Sequence, residues 1–365
     1  MDSQPIRENI VTLIDLAGSP RSMGEAFGEQ LRDSVRELYA IRLRSALLQA
    51  HEHGRRDATE EDLLRVARAS LRITADFDPT SADEMEGIAR GAGLRVEQVV
   101  AMNGLTDLRD VLSWWDGGEL FGGCTSIVAQ ADVTRDGRLL AGQTWDLGTD
   151  NMPFVVAVRR APTSGPSSIC LTIAGCLPFL GVNDAGLAVG TTNLRTRDAR
   201  PGVVYVTLID LALRARSVAE AVRSIGPTPR AGGHFFYVAD ASGSAVALEC
   251  TAMDVHATNV RSGVFVHTNH CLAAAHAPLD VDAANPSSRA RLHRMTTLAN
   301  GARGALDSEA LKAFFADTST GSLAICRDDI DGTSTNAAAV LSPETRTLHA
   351  CRGLPSRAPW VELCA

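Results

Sequence analysis

The sequence predicts an α+β fold, antiparallel sheets with helices stacked outside them, on three observations. The first third carries apolar residues at helical spacing. From Cys124 onward, short β-branched and apolar runs alternate with glycine-bearing turns. The later helices come in blocks rather than one after each strand, which argues against βαβ units.

In chain order, Ser22-Met-Gly-Glu25 reads as a capping box, followed by Phe27, Leu31, Val35 and Leu38 along one helical face. Thr59-Glu-Glu-Asp62 opens a second helix, and Ser81-Ala-Asp-Glu84 a third that Gly91 and Gly93 end. SIVAQADV and LLAGQTWDL then make a hairpin with Asp136-Gly137 at its turn. Residues 154–158 and 169–173 are strands, and Asn183-Asp184-Ala185-Gly186 turns into LAVGTTNL. Helices follow over 203–216 and 218–225, then a hairpin around Ala241-Ser242-Gly243 and a strand in VFVHTNH, 264–270. Helices over 287–298 and 308–315 precede a last hairpin across Ser342-Pro343-Glu344.

Composition narrows the function. Residues 1–123 hold 14 arginines against 22 acidic residues, net −8, and the remainder holds 21 of each sign. That leaves no basic footprint for nucleic acid. Lys312 is the only lysine, in an ordinary helical pattern, so Schiff-base chemistry has no good candidate. The eight cysteines include no C-x-x-C pair, which argues against a zinc ribbon or a disulfide framework. No run approaches the roughly 18 apolar residues of a membrane helix. The N-terminal MDSQPIRENIVTLIDLAG lacks the pattern of a signal peptide, so a cytoplasmic protein with no membrane partner is expected.

One cysteine stands apart. Gly122-Gly123-Cys124 lies at the change of texture between helices and strands, which divides 1–123 from 124–365. Cleavage of the Gly123–Cys124 bond would give one residue both a thiol and an α-amine of pKa near 8, a nucleophile with its own base. The plainer reading is a packed thiol, the usual fate of a buried cysteine. Asn269, in His267-Thr268-Asn269-His270 at a strand end, has an amide to offer an oxyanion. Asp146 ends the strand that returns towards Cys124, although such an aspartate also suits a turn or cap. Arg327, in Ile325-Cys326-Arg327, is a cation among apolar residues that also has Asp328 and Asp329 to pair with.

In order and spacing, GGCTS, GQTWD, FVHTNH, NPSSRARLHRM and ICRD resemble the isopenicillin N acyltransferase family, as does MEGIARGAGLRVEQVVAMNG upstream. These are self-processing N-terminal-nucleophile hydrolases, and the resemblance covers nearly the whole chain. It implies a four-layer αββα sandwich and cleavage before Cys124 into a helical α chain and a β chain of 365 − 123 = 242 residues, an α/β heterodimer from one precursor. By motif, Cys124 becomes the nucleophile, Asn269 the oxyanion donor, and Asp146 and Arg327 polar groups of the substrate pocket. Thr125, His267 and His270 are supporting neighbours.

Thr144 departs from the family's penicillin-forming enzyme, which has asparagine before the Trp-Asp, so the penicillin substrate does not carry over. The expected chemistry is hydrolysis of a small aminoacyl or peptide-like amide through a thioester, with an acyl-CoA-dependent N-acyltransferase as the alternative. No metal or organic cofactor is required; an amine or acyl-CoA enters as co-substrate. Two further readings remain at this stage. His267 follows Cys124 by 143 residues, a papain-like spacing, but the residues after Cys124 favour a strand over a helix. The other is a non-catalytic binding protein.

Overall fold

The computed structural model describes residues 10–52, 54–113 and 123–365. Gly122 and the start of the N-terminal stretch read above, residues 1–9, lie outside them. The first element among the described residues is a strand rather than a helix, β1 (Thr12–Gly18). Among the described residues, helices follow: α1 (Pro20–Gln30), α2 (Arg32–Glu52), α3 (Glu60–Phe77), α4 (Pro79–Ala92), α5 (Val96–Asn103) and α6 (Leu105–Ser113). Then come β2 (Ser126–Ala129), β3 (Leu140–Gly148), β4 (Val155–Pro162), β5 (Ser168–Ile173), β6 (Leu180–Asn183) and β7 (Leu187–Asn193). Helices α7 (Tyr205–Leu213) and α8 (Val218–Ile225) lead to β8 (His234–Asp240), β9 (Ala245–Cys250), β10 (Val255–Asn259) and β11 (Val264–His267). The chain closes with α9 (Pro286–Gly301), α10 (Ser308–Phe315), β12 (Thr333–Ser342), β13 (Thr347–Arg352) and β14 (Trp360–Cys364).

These strands form two sheets, ordered β1-β4-β5-β6-β7-β8-β9-β10 and β11-β2-β3-β12-β13-β14. Every strand pairing is antiparallel except β1 with β4, where Thr12 pairs with Val156. The period-2 alternation shows how the sheets stack. Val155, Ala157, Phe235 and Tyr237 face the second sheet, where Ala337, Ala339 and Leu341 meet them. Their neighbours Val156, Val158, Phe236 and Val238 face the helices α1 to α8. On the far side, Ala338 and Val340 pack with Met295, Leu311 and Phe315 of α9 and α10. The layers therefore run helix, sheet, sheet, helix, the αββα sandwich. Inside the sheets both faces are buried, which is why the inner strands read as continuous apolar runs.

Several helix boundaries differ from the sequence reading. Helix α1 starts a turn early: Ser19 is its N-cap, accepting from the Ser22 N–H, and Pro20 fills the first helical position where no N–H is needed. Helix α4 likewise begins at Pro79, and Ser81 is buried and donates to Asp78 and Asp210 instead of capping. Gly93 does end that helix at φ +66°. Gly91 does not: a Cβ there would lie 2.1 Å from the Glu25 carbonyl oxygen. Gly24 and Gly28 of α1 make the reciprocal approach to α4, so these helices pack backbone to backbone. The Thr59–Asp62 capping box of α3 is present as read.

Candidate active site

Hairpin register decides what faces Cys124. Strand β2 pairs Ser126 with Gln143, and three residues earlier Gly123 faces Asp146 in an isolated antiparallel bridge. The Asp146 N–H donates to the Gly123 carbonyl at 2.8 Å, and the Thr144 N–H to the Thr125 carbonyl at 2.9 Å. The Thr125 N–H donates back to Thr144 Oγ1 at 3.1 Å. The Gly123–Cys124 peptide is thus pinned on both sides to the end of β3.

A second set of contacts arrives from the other edge of β2. After β11 the chain turns through Asn269, and the Cys124 N–H donates to Asn269 Oδ1 at 2.7 Å. Arg291 Nη2 donates to the same oxygen at 2.9 Å, and since a guanidinium only donates, the amide orientation is fixed. Asn269 Nδ2 donates to the Asn193 carbonyl at the end of β7 at 2.9 Å, leaving its second N–H for another acceptor.

Arg291, fully buried on α9, anchors the cluster. Its guanidinium also donates to the Cys124 carbonyl and, at 3.0 Å, to Thr125 Oγ1. A Cβ on Gly123 would stand 2.7 Å from Arg291 Nη2, so any side chain there would push this guanidinium off its partners.

The electrostatics are those of a dry site. Burial, with the Asp146 carboxylate beside it, pushes the Cys124 thiol up to about 12, opposed by backbone N–H groups and Arg291. Burial pushes Asp146 up to about 6, opposed by Arg291 and Arg327 and by the Thr335 hydroxyl. Thr335 Oγ1 donates to Asp146 Oδ1 at 2.8 Å, whereas Asp146 Oδ2 has no partner among the described residues.

Arg327 reaches this carboxylate indirectly. Its N–H donates to Thr335 Oγ1 at 3.0 Å, and its Nη1 to Ser287 Oγ at 2.7 Å. Pairing with its acidic neighbours is not observed: Asp328 bonds Arg357 at 3.1 Å, and Asp329 accepts from Thr149. The two histidines turn elsewhere. His267 stacks on Phe235 at 3.9 Å between centroids, with Nε2 3.3 Å from Glu249. His270 Nδ1 lies 2.7 Å from Ser288 Oγ, and burial pushes its imidazole down to about 4. With His267 held by Glu249 and a strand after Cys124, the papain-like pairing is not formed.

A cavity of about 40 Å³ opens at Cys124, lined by Gly123, Asp146, Asn193 and Asn269 and also by Thr106, Arg109, Arg195 and Asp282. Arg327 is not among its lining residues. Sequence reasoning misses Arg291, Asn193, Arg109, Arg195 and Asp282, which read as ordinary helix or loop polarity. The signal within reach is the near-total use of arginine over lysine, since guanidinium is the cation suited to buried pairing. Among the described residues no group of three or more His, Cys, Asp or Glu is placed to hold a metal ion, and no helix is long and apolar enough to cross a membrane.

Comparison with known proteins places the chain in a family. A curated relative, the acyl-coenzyme A:6-aminopenicillanic-acid-acyltransferase 40 kDa form of Emericella nidulans, is 28% identical over 331 residues, covering 87% of this chain and 85% of its own. Among solved structures, a variant of conjugated bile acid hydrolase from Clostridium perfringens has a TM-score of 0.46 at 13% identity, covering 66% of this chain and 92% of its own. Penicillin V acylase from Agrobacterium tumefaciens has 0.42 at 17%, covering 62% and 82%. Both are distant likenesses. The model of the acyl-coenzyme A:6-aminopenicillanic acid acyl-transferase family matches residues 133–357, well over half of the sequence, and the chain belongs to that family.

Proposed function

We propose that the protein cleaves itself at Gly123–Cys124 and then acts as an N-terminal-cysteine amidohydrolase on a small amide, with acyl transfer as a second outcome of the same thioester. The observation that carries this reading is the 2.7 Å bond from the Cys124 N–H to Asn269 Oδ1. The nitrogen that cleavage would free is already held beside the side chain suited to the oxyanion.

In the first step Cys124 Sγ attacks the Gly123 carbonyl carbon, a C–S bond forms and the peptide C–N bond breaks. The Asp146 N–H, already on the Gly123 oxygen at 2.8 Å, stabilises the developing charge. A thiol pushed up to about 12 holds its proton and needs a base at the moment of attack. Asp146 Oδ2 is unpaired and ionises near pH 6, so it takes that proton and returns it to the departing nitrogen. Water then hydrolyses the thioester, freeing the thiol and leaving Gly123 with a carboxylate. The new Gly123 end is released from the cavity wall it forms, which enlarges a space now of about 40 Å³, well below the size of an ordinary ligand pocket.

During turnover the terminal amine, with pKa near 8, takes the thiol proton. Sγ attacks the substrate carbonyl, the spare Nδ2–H of Asn269 meets the oxyanion, and the leaving amine departs protonated. Water or an incoming amine then resolves the thioester. The relative's name, an acyl-coenzyme A-dependent acyltransferase, supports the alternative in which acyl-CoA charges Cys124.

The test is a screen of the processed protein against small N-acyl and β-alanyl amides and acyl-CoA thioesters, beside Cys124→Ala. Turnover lost with the thiol supports the reading. Turnover unchanged in Cys124→Ala, or thioesters consumed with every amide untouched, would overturn the amidase assignment.

A further inference from the structure

The cavity at Cys124 has a second wall that the proposed chemistry does not use, and its principal group comes from the helical segment upstream of the scissile bond. Arg109, on α6, lines the cavity and is only 6% exposed. Its Nε lies 3.5 Å from Asp110, close enough for an ion pair, yet has no hydrogen-bond partner among the described residues. The Asp110 carboxylate is itself shared with Gln49 Nε2 at 3.5 Å. Burial opposes the charge on Arg109, and its neighbour Arg195 adds repulsion. Arg195 is committed differently, with Nη1 3.1 Å from Asp282. Asp146 and Asn193, which line the same cavity, each keep an acceptor without a partner among the described residues, Asp146 Oδ2 and Asn193 Oδ1. An unmatched donor and unmatched acceptors on residues of one cavity point to a ligand with matching groups, because a buried polar atom is costly without a partner.

We infer that Arg109 is a specificity-determining residue that binds a carboxylate on the substrate, so the segment upstream of the cleavage point supplies part of the substrate site. The inference rests on Cys124 being the nucleophile, as proposed above. A carboxylate fits better than a phosphate for two reasons. The planar guanidinium fork matches its two oxygens. Asp110 and Asp282 beside the arginine would repel a dianion more than a single charge. Arg327, the arginine that the sequence offers for this task, lies outside the cavity wall.

The experiment compares N-acylglycines with their methyl esters on the processed wild type, Arg109→Gln and Arg109→Lys. The wild type is expected to favour the free acids, and Arg109→Gln to raise KM for acids by roughly 10-fold or more while changing the esters less than threefold. Arg109→Lys should recover part of the preference, which separates lost charge from lost packing. Equal losses on acid and ester, or a preference that survives in Arg109→Gln, would overturn the inference. If the wild type hydrolyses none of these amides, the amidase reading fails and this one is read by melting temperature instead. The acids, but not the esters, should then stabilise the wild type and not Arg109→Gln; acids that stabilise both proteins alike, or neither, would overturn it.

Discussion

Two largely buried charged clusters in this molecule are differently finished. Under the outer face of the first sheet, Arg160 of β4 bonds both Asp210 of α7 and Glu84 of α4, while Arg214 bonds both oxygens of Asp78. Each carboxylate there meets a guanidinium, with Ser81 filling a remaining place and only Arg160 Nε unmatched. Around Cys124, by contrast, Asp146 Oδ2, Asn193 Oδ1, Arg109 Nε and Arg327 Nε all lack hydrogen-bond partners among the described residues. The first cluster joins residues 78–84 to residues 160–214, across the proposed cleavage point, and reads as a clamp. The second spends stability on unmatched groups, as a site that awaits a ligand does.

Breaking each cluster should therefore show in a different observable. Arg160→Met strips both Glu84 and Asp210 of their partner and should cost about 3–5 kcal/mol in unfolding measurements, while leaving KM of the molecules that fold unchanged. A drop under ~1 kcal/mol would mean that the clamp holds nothing. Asn269→Ala should do the reverse, lowering kcat by roughly 100-fold with melting temperature nearly preserved. Near-native turnover would remove Asn269 from the site.

Asp146→Asn sharpens the contrast through pH. The folded pKa of Asp146, about 6, stands above the ordinary carboxyl value of 3.8. Its contribution to stability is therefore full below about pH 4 and is lost as pH rises through 6. Asp146→Asn should raise the melting temperature at pH 7–8 and hardly change it near pH 4. The rate of self-cleavage in the wild type should fall as pH drops through about 6, and the variant should be slow with no such limb. A wild-type profile flat across pH 5–7 would exclude Asp146 as the base.

Legibility in the sequence follows the distance between partners. The hairpins β2–β3, β8–β9 and β12–β13 announce themselves because turn residues such as Gly137, at φ +70°, and Gly243, at φ +83°, sit between the paired runs. Strand β1 does not, because its partner β4 lies more than 130 residues downstream and no local pattern records a parallel pairing. Strands β10 and β14 are sheet edges with half-exposed side chains, so their apolar signal is diluted. At the site, Cys124, Asp146 and Asn269 stand where glycine pairs and strand ends make them conspicuous. Arg109 and Arg291 do not, since an arginine in a helix looks the same whether it points to water or, as here, into the core.

The central claim is that Cys124 makes its own amine, and intact-mass measurement of freshly purified protein tests it most directly, with Cys124→Ala alongside. The wild type should give two fragments meeting at Gly123/Cys124, and the variant a single uncut chain. A wild type that stays whole while active, or a Cys124→Ala protein cut at the same bond, would contradict it.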